Sequence, residues 1–270
     1  GERWARAARL TSALVAEMDR RDRFTVLACD TRCAAMPGGM QYADSDNARA
    51  ALSYLQGVEP AGSSDLVGMV DAALGASEGH DRALRVVYVG DGVATAGFRR
   101  PATLHAAVRE SLARRPDATL TAVGVGVGDG TTLETLARAG GGVVVPYVPG
   151  ERLDAAALSV LEATYGVVLR DPVVELPPGM TALAPAAPAN LRAGAEMLLS
   201  AQLPTGHAEG DLVLRGTVDG QPFEARYPLR VTATSDAGNA FVPRLYAASR
   251  IADLEARTGP ESRAEAVSLS

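Results

Sequence analysis

Leu84-Arg85-Val86-Val87-Tyr88-Val89-Gly90-Asp91-Gly92 is the stretch that decides how the chain folds. Five of its first six residues are apolar. So short an apolar run, closed by an Asp-Gly turn, reads as a buried strand and not as a helix. Asp91 then falls just past the carboxyl end of that strand, where open parallel sheets present their ligands.

The neighbours of this strand set the fold class. Upstream, Leu66, Met69, Val70, Ala73 and Leu74 form the i, i+3, i+4, i+7, i+8 stripe of a core-facing helix. Residues 2–19 give another helix, with Trp4, Ala7, Leu10, Leu14 and Met18 on one side. Phe24–Asp30 reads as a strand, and Arg32–Met36 pairs with it as a hairpin ended by Pro37-Gly38-Gly39. Ser45 is placed to cap a helix that Gly57 stops, and the polar loop Pro60–Asp65 opens the next. Downstream, Pro101 suits the first turn of a helix striped by Leu104, Val108 and Leu112. Thr119–Gly126 and Val143–Tyr147 are strands. Between them Thr131 and Glu134 have the spacing of a capping box, and Gly140 that of a C-terminal cap. Leu153, Ala157, Val160 and Leu161 mark a further helix.

Strands alternating with helices predict an α/β domain with a doubly wound, mostly parallel sheet over residues 1–166. From Val167 the pattern changes. Val167–Leu176, Ala195–Leu203, Asp211–Val218 and Pro222–Val231 read as strands with no helical pattern between, and Asp219-Gly220 is a hairpin signal. Residues 167–239 are therefore expected to form a small antiparallel β unit. Residues 240–270 are expected to hold a helix from Phe241 and a loose polar tail over Thr258–Arg263.

Composition narrows the function. Hydrophobic residues make up 47% and aromatics 4%, so Ala, Val and Leu fill the core. A net charge of −6 with scattered arginines argues against a nucleic-acid surface. No apolar run is long enough for a membrane span, and no signal peptide is visible. Both ends look cut, since Ala266–Ser270 stops within an apolar pattern. Gly124-Val-Gly-Val-Gly-Asp-Gly130 lacks glycine at the sixth position of a dinucleotide fingerprint, and no phosphate-loop lysine comes after it. The bland reading is a small-residue strand and a tight turn. His80, His105 and His207 lie in different elements, and no serine-hydrolase or His-Glu-x-x-His motif is present, so no catalytic residue is assigned. Cys29 and Cys33, with no histidine nearby, cannot close a zinc site. They read first as two small core residues flanking a hairpin turn, and otherwise as a cross-hairpin disulfide, which implies an oxidising compartment.

Ser64 and Asp91 border loops of the α/β half. On residue chemistry alone Ser64 is a helix N-cap and Asp91 a strand-end turn residue. Hydroxyl and carboxylate together are also the hard oxygens that Mg²⁺ takes, although two ligands bind weakly.

The order of these pieces resembles the von Willebrand factor A family. The opening helix and Asp22–Asp30, Gly62-Ser63-Ser64-Asp65-Leu66, Val87–Gly92, Ala122–Gly126 and Gly140-Gly141-Gly142 match its helix, strands and loops in order. Asp171–Pro177 and Phe241–Ile251 resemble the region downstream of that domain in inter-alpha-trypsin-inhibitor heavy chains and their bacterial relatives, which also carry a vault/inter-alpha-trypsin domain. The resemblance implies a metal-ion-dependent adhesion site, in which Ser64 stands where the family has Thr and Asp91 is the third-motif carboxylate. It implies Mg²⁺ (or Ca²⁺ or Mn²⁺) in the intact parent, weak metal binding by this segment, and a protein ligand that offers a carboxylate. The first motif, Asp-x-Ser-x-Ser on the central strand, is expected ahead of Gly1, in the upstream region or on another chain. The implied function is a non-enzymatic adhesion module, extracytoplasmic or at the cell surface. The alternative is a structural scaffold with a degenerate, metal-free site.

Overall fold

The computed structural model describes residues 2–59, 62–80, 82–148, 150–218, 220–234 and 241–256. Asp219, the tail over Thr258–Arg263 and Ala266–Ser270 lie outside the described residues. Contacts divide the chain into two units, Gly1–Gly166 and Val167–Ser270.

The first unit is a layered α/β structure. Its sheet holds β5 (Arg85–Gly90), β6 (Thr119–Val125) and β7 (Gly141–Tyr147), all parallel, in the order β5-β6-β7. Side chains alternate across β6 as the pleat requires. Leu120 and Ala122 face α3 (Leu66–Ala76), α4 (Pro101–Ala113) and α5 (Gly130–Ala139). Val123 and Val125 face the other way, onto Ala7, Leu10 and Leu14 of α1 (Glu2–Glu17) and Ala156, Ala157 and Val160 of α6 (Leu153–Tyr165). Helices thus cover both faces, which explains why β6 is buried almost throughout, its Thr119 and Thr121 included, instead of alternating between buried and exposed residues.

A third cluster sits beside α1. Val15 meets Phe24, Val26, Met36, Ala51 and Leu55, bringing together the hairpin region and α2 (Ser45–Gly57). The expected single strand over 24–30 is divided. β1 (Arg23–Phe24) pairs with β4 (Gln41–Tyr42), which the sequence pattern missed, and β2 (Leu27–Cys29) pairs with β3 (Cys33–Ala35). Cys29 and Cys33 face each other across the hairpin and form a disulfide, so the reading as two unbonded core cysteines is corrected. The cause is register: a pair opposite each other without ladder hydrogen bonds brings Cα atoms unusually close, here 4.1 Å.

β5 also departs from expectation. Arg85 is exposed and Val86 to Gly90 are only half-buried, whereas β6 is almost wholly buried. Among the described residues β5 is an edge strand, hydrogen-bonded to β6 alone.

Helix starts shift as well. Asp44, Asp65 and Asp129 are the N-caps, each accepting backbone N–H bonds. The sequence pointed to Ser45, Ser64 and Thr131. In each case a neighbouring carboxylate takes the cap, giving a charge-assisted bond at the positive end of the helix.

The second unit has a sheet in the order β10-β8-β12-β13, antiparallel throughout: β10 (Leu191–Arg192), β8 (Val168–Glu175), β12 (His207–Val218) and β13 (Gln221–Thr232). Val218 pairs with Gln221, so the hairpin loop has two residues, and Gly220 has φ +75° as such a turn demands. A second pairing joins β9 (Thr181–Ala184) to β11 (Ser200–Gln202), all that remains of the expected strand over 195–203. α7 (Val242–Ala256) packs on this pair, and Asp253 accepts the Ala186 N–H.

The turn after β6 holds the end of β5 in place. Asp129 N–H donates to the Asp91 carbonyl at 2.8 Å, and a Cβ on Gly128 would lie 1.9 Å from that oxygen. The glycine-rich stretch is thus a backbone cradle for the residue that ends the strand.

The packing can be tested by urea denaturation. Leu104 is fully buried, and Leu104→Ala is expected to destabilise by about 2–5 kcal/mol, against less than about 0.5 for half-exposed Leu158→Ala. Gly128→Ala is expected to cost about 1–3 kcal/mol through overpacking. Gly130→Ala, where a Cβ meets nothing within 4 Å, is expected to be neutral or stabilising in the same measurement.

Candidate functional site

Loops at the carboxyl end of β5 bring the two sequence-predicted residues to one place. Asp91 comes directly after Gly90, and Ser64 precedes the N-cap of α3. The loop after β5 ties them: Thr95 Oγ1 accepts the Ser64 N–H at 2.7 Å, and the Ser64 carbonyl accepts from the Thr95 and Ala96 N–H groups. Asp65, not Ser64, caps α3, through Gly68 N–H at 3.1 Å. The Ser64 side chain is therefore free of the capping role. Ser64, Asp91 and Asp30 all line one cavity of about 1390 Å³ within this unit.

Asp30 and Thr95 were not singled out by sequence reasoning. Asp30 sits at the hairpin turn, where its Oδ1 accepts the Arg32 N–H at 2.8 Å and its carbonyl accepts the Asp65 N–H. A Cβ on Gly62 would lie 2.7 Å from its carboxylate, so the glycine permits the Ser64 loop to approach. The available signal was the family-like order of loops, which marks Gly62 and Ser64 but not their partners.

Asp91 is engaged on both oxygens. Oδ1 accepts the Val93 N–H at 3.1 Å, and Oδ2 accepts from Arg3 Nη1 at 2.8 Å. The Asp91 side chain is 26% exposed and that of Arg3 63%. Beneath it the Tyr88 hydroxyl accepts the Gly92 N–H at 3.1 Å. Burial, and secondarily the charge of Asp91, pushes the Tyr88 phenol up to about 12, so it stays neutral.

These groups can hold an extended loop surface and receive a polar partner. As a divalent-cation site they do not suffice. Mg²⁺ takes six oxygens in a tight octahedron. Among the described residues no three His, Cys, Asp or Glu side chains converge, and a guanidinium already neutralises Asp91. The donor chemistry is right and the donor number is short. Of the histidines, His80, after α3, is among the residues lining that cavity, whereas His105 lies in α4 and His207 opens β12.

The family described as von Willebrand factor type A domain matches residues 5–145. Among solved structures, a von Willebrand factor type A protein from Catenulispora acidiphila superposes with a TM-score of 0.55 at 16% identity, covering 93% of this chain and 68% of that one. An aerotolerance-related membrane protein from Bacteroides fragilis gives 0.46 at 14% identity, over 60% of this chain and 87% of its own. The BatB protein from Bacteroides thetaiotaomicron gives 0.44 at 16%, over 59% and 85%. No curated protein matches the chain. The matched span takes in most of α1, the β5 strand, the Ser64 and Asp91 loops and most of β7, and on that ground the chain belongs to the von Willebrand factor type A domain family.

Proposed function

We propose that this chain is a non-enzymatic protein-interaction module whose binding face is the loop surface at the carboxyl end of β5, centred on Ser64 and Asp91. One observation carries the reading: two loops far apart in sequence are hydrogen-bonded to each other through Ser64, Thr95 and Ala96, and the Ser64 and Asp91 they carry line one cavity. In the parent protein a divalent cation, Mg²⁺ or else Ca²⁺ or Mn²⁺, would use those two oxygens together with donors from outside this chain, and the ligand would be a protein carboxylate. The β unit over 167–239 and the helix after it suit a protein of the vault/inter-alpha-trypsin type. An extracytoplasmic or cell-surface setting is supported by the Cys29–Cys33 disulfide, because such bonds persist where thiols are not kept reduced.

A second reading, a scaffold with a metal-free site, is favoured by the Arg3–Asp91 ion pair, since a guanidinium there does the neutralising that a cation would do.

Calorimetry separates the two. The 270-residue chain is expected to bind Mg²⁺ no better than millimolar, in keeping with its two oxygen donors. In the parent protein, Asp91→Ala is expected to abolish any Mg²⁺-dependent ligand binding. Ligand binding that persists in a chelator supports the scaffold. Micromolar Mg²⁺ affinity in the 270-residue chain would contradict the reading of this donor set. Thiol titration of the denatured, unreduced chain is expected to find neither Cys29 nor Cys33 reactive; two reactive thiols would remove the support for an oxidising compartment.

A further inference from the structure

The last strand of the second unit's larger sheet has a free outer edge. The order β10-β8-β12-β13 leaves two edges, and among the described residues neither bears a further strand. β10 spans two residues and β13 twelve. Only β13 is long enough to template another strand, and an unpaired edge is a ready site for one.

β13 alternates along its length. Phe223, Ala225, Tyr227, Leu229 and Val231 lie on one face, and Pro222, Glu224, Arg226, Pro228 and Arg230 on the other. The apolar face is incompletely covered at this edge: Phe223 is 38% exposed and Tyr227 53%. On the polar face Glu224 accepts from Arg215 Nε at 2.7 Å and pairs with Arg226 at 2.8 Å.

The hairpin fixes which backbone groups face outward. A two-residue loop makes its flanking residues, Val218 and Gln221, a hydrogen-bonded pair. Odd-numbered residues of β13 therefore turn their N–H and C=O groups toward β12, and even-numbered residues turn theirs outward. Pro222 and Pro228 fall in the outward set, where a strand tolerates a missing N–H. Between them Glu224 and Arg226 present outward N–H and C=O groups.

We propose that β13 pairs antiparallel with β13 of a second copy of this chain, about a two-fold axis through Ala225. A two-fold contact requires a strand complementary to itself, and this one is. With Ala225 opposite Ala225, Glu224 lies opposite Arg226 of the second copy, and Arg226 opposite its Glu224. Each such pair exchanges both backbone hydrogen bonds and sets opposite charges side by side. On the apolar face Phe223 of each copy lies opposite Tyr227 of the other, an aromatic cross-strand match. The prolines fall opposite each other and end the ladder on both sides, which keeps the association reversible. Moving the axis by one residue sets Glu224 against Glu224 or Arg226 against Arg226, and like charges directly opposite are destabilising. The short β10 edge cannot extend the sheet, so assembly stops at two copies. This inference goes beyond the loop-surface reading and does not depend on it.

Sedimentation equilibrium of the full chain is expected to show a monomer–dimer equilibrium with a Kd of about 1–100 µM. Glu224→Arg and Arg226→Glu, each alone, place like charges opposite and are expected to raise that Kd at least about tenfold. Mixed one to one, the two variants are expected to associate as the parent chain does, because each supplies the charges the other lacks. That recovery separates pairing between copies from the local loss of the Arg215 and Arg226 contacts. Cysteine variants read the register, since Cys29 and Cys33 are already bonded to each other. With diamide as the oxidant, Ala225→Cys is expected to form an intermolecular disulfide, because residues opposite each other without ladder hydrogen bonds lie about 4.5 Å apart at Cα. Tyr227→Cys is expected to crosslink at least about tenfold more slowly, its two copies lying about 13 Å apart along the strands. A chain that stays monomeric to about 1 mM, no recovery on mixing, or faster crosslinking at residue 227 than at 225 would overturn the proposal. Mg²⁺ enters none of these measurements, so the proposed function stands or falls separately.

Discussion

The one-sided pairing of β5 governs the first unit. Backbone N–H and C=O groups demand partners, and a parallel strand covered by helices on both faces has no water to supply them. β6 meets that demand on both edges, and its residues are buried accordingly. β5 meets it on one edge, and its apolar residues come out half-buried. Everything at its carboxyl end inherits the difference. Gly128 and Asp129 clamp the Asp91 backbone from the β6 side, while the other side opens on the cavity that Ser64 and Asp30 rim.

Much of this was legible in the residues. The stripe Leu66, Met69, Val70, Ala73, Leu74 names α3 and its buried face, because a fixed helical period needs no tertiary information. The change at Val167 was legible for the same reason, since helical periodicity stops there. The helix caps were not, because Asp and Ser neighbours compete for one role and geometry decides; Asp65 took it, which left Ser64 to be tied down by Thr95. β4, β9 and β10 hold two to four residues each, too few to show a period of two. The disulfide depended on register across a hairpin whose pairing no composition rule supplies.

The site was legible only in its outline. Ser64 and Asp91 are 27 positions apart in the chain, and what joins them is Thr95 and Gly62, residues with no chemical signature of their own. The glycine-rich run after β6 failed the nucleotide pattern on spacing, and its real task is steric: Gly128 lets the Asp91 carbonyl come closer than any side chain permits. Sequence chemistry names donors and acceptors; close approach of backbones leaves a mark only as glycine, and glycine alone does not say what approaches.

Charge at the rim then separates the two functional readings on physical grounds. Arg3 lies in the first turn of α1, where the helix dipole already places partial positive charge. A cation arriving at Asp91 meets both, and it gains one carboxylate and one hydroxyl in return. The Arg3 ion pair is itself weak, because its guanidinium is largely exposed and such pairs contribute about 0–1 kcal/mol. A cation can therefore displace it, provided several further oxygens are supplied at once.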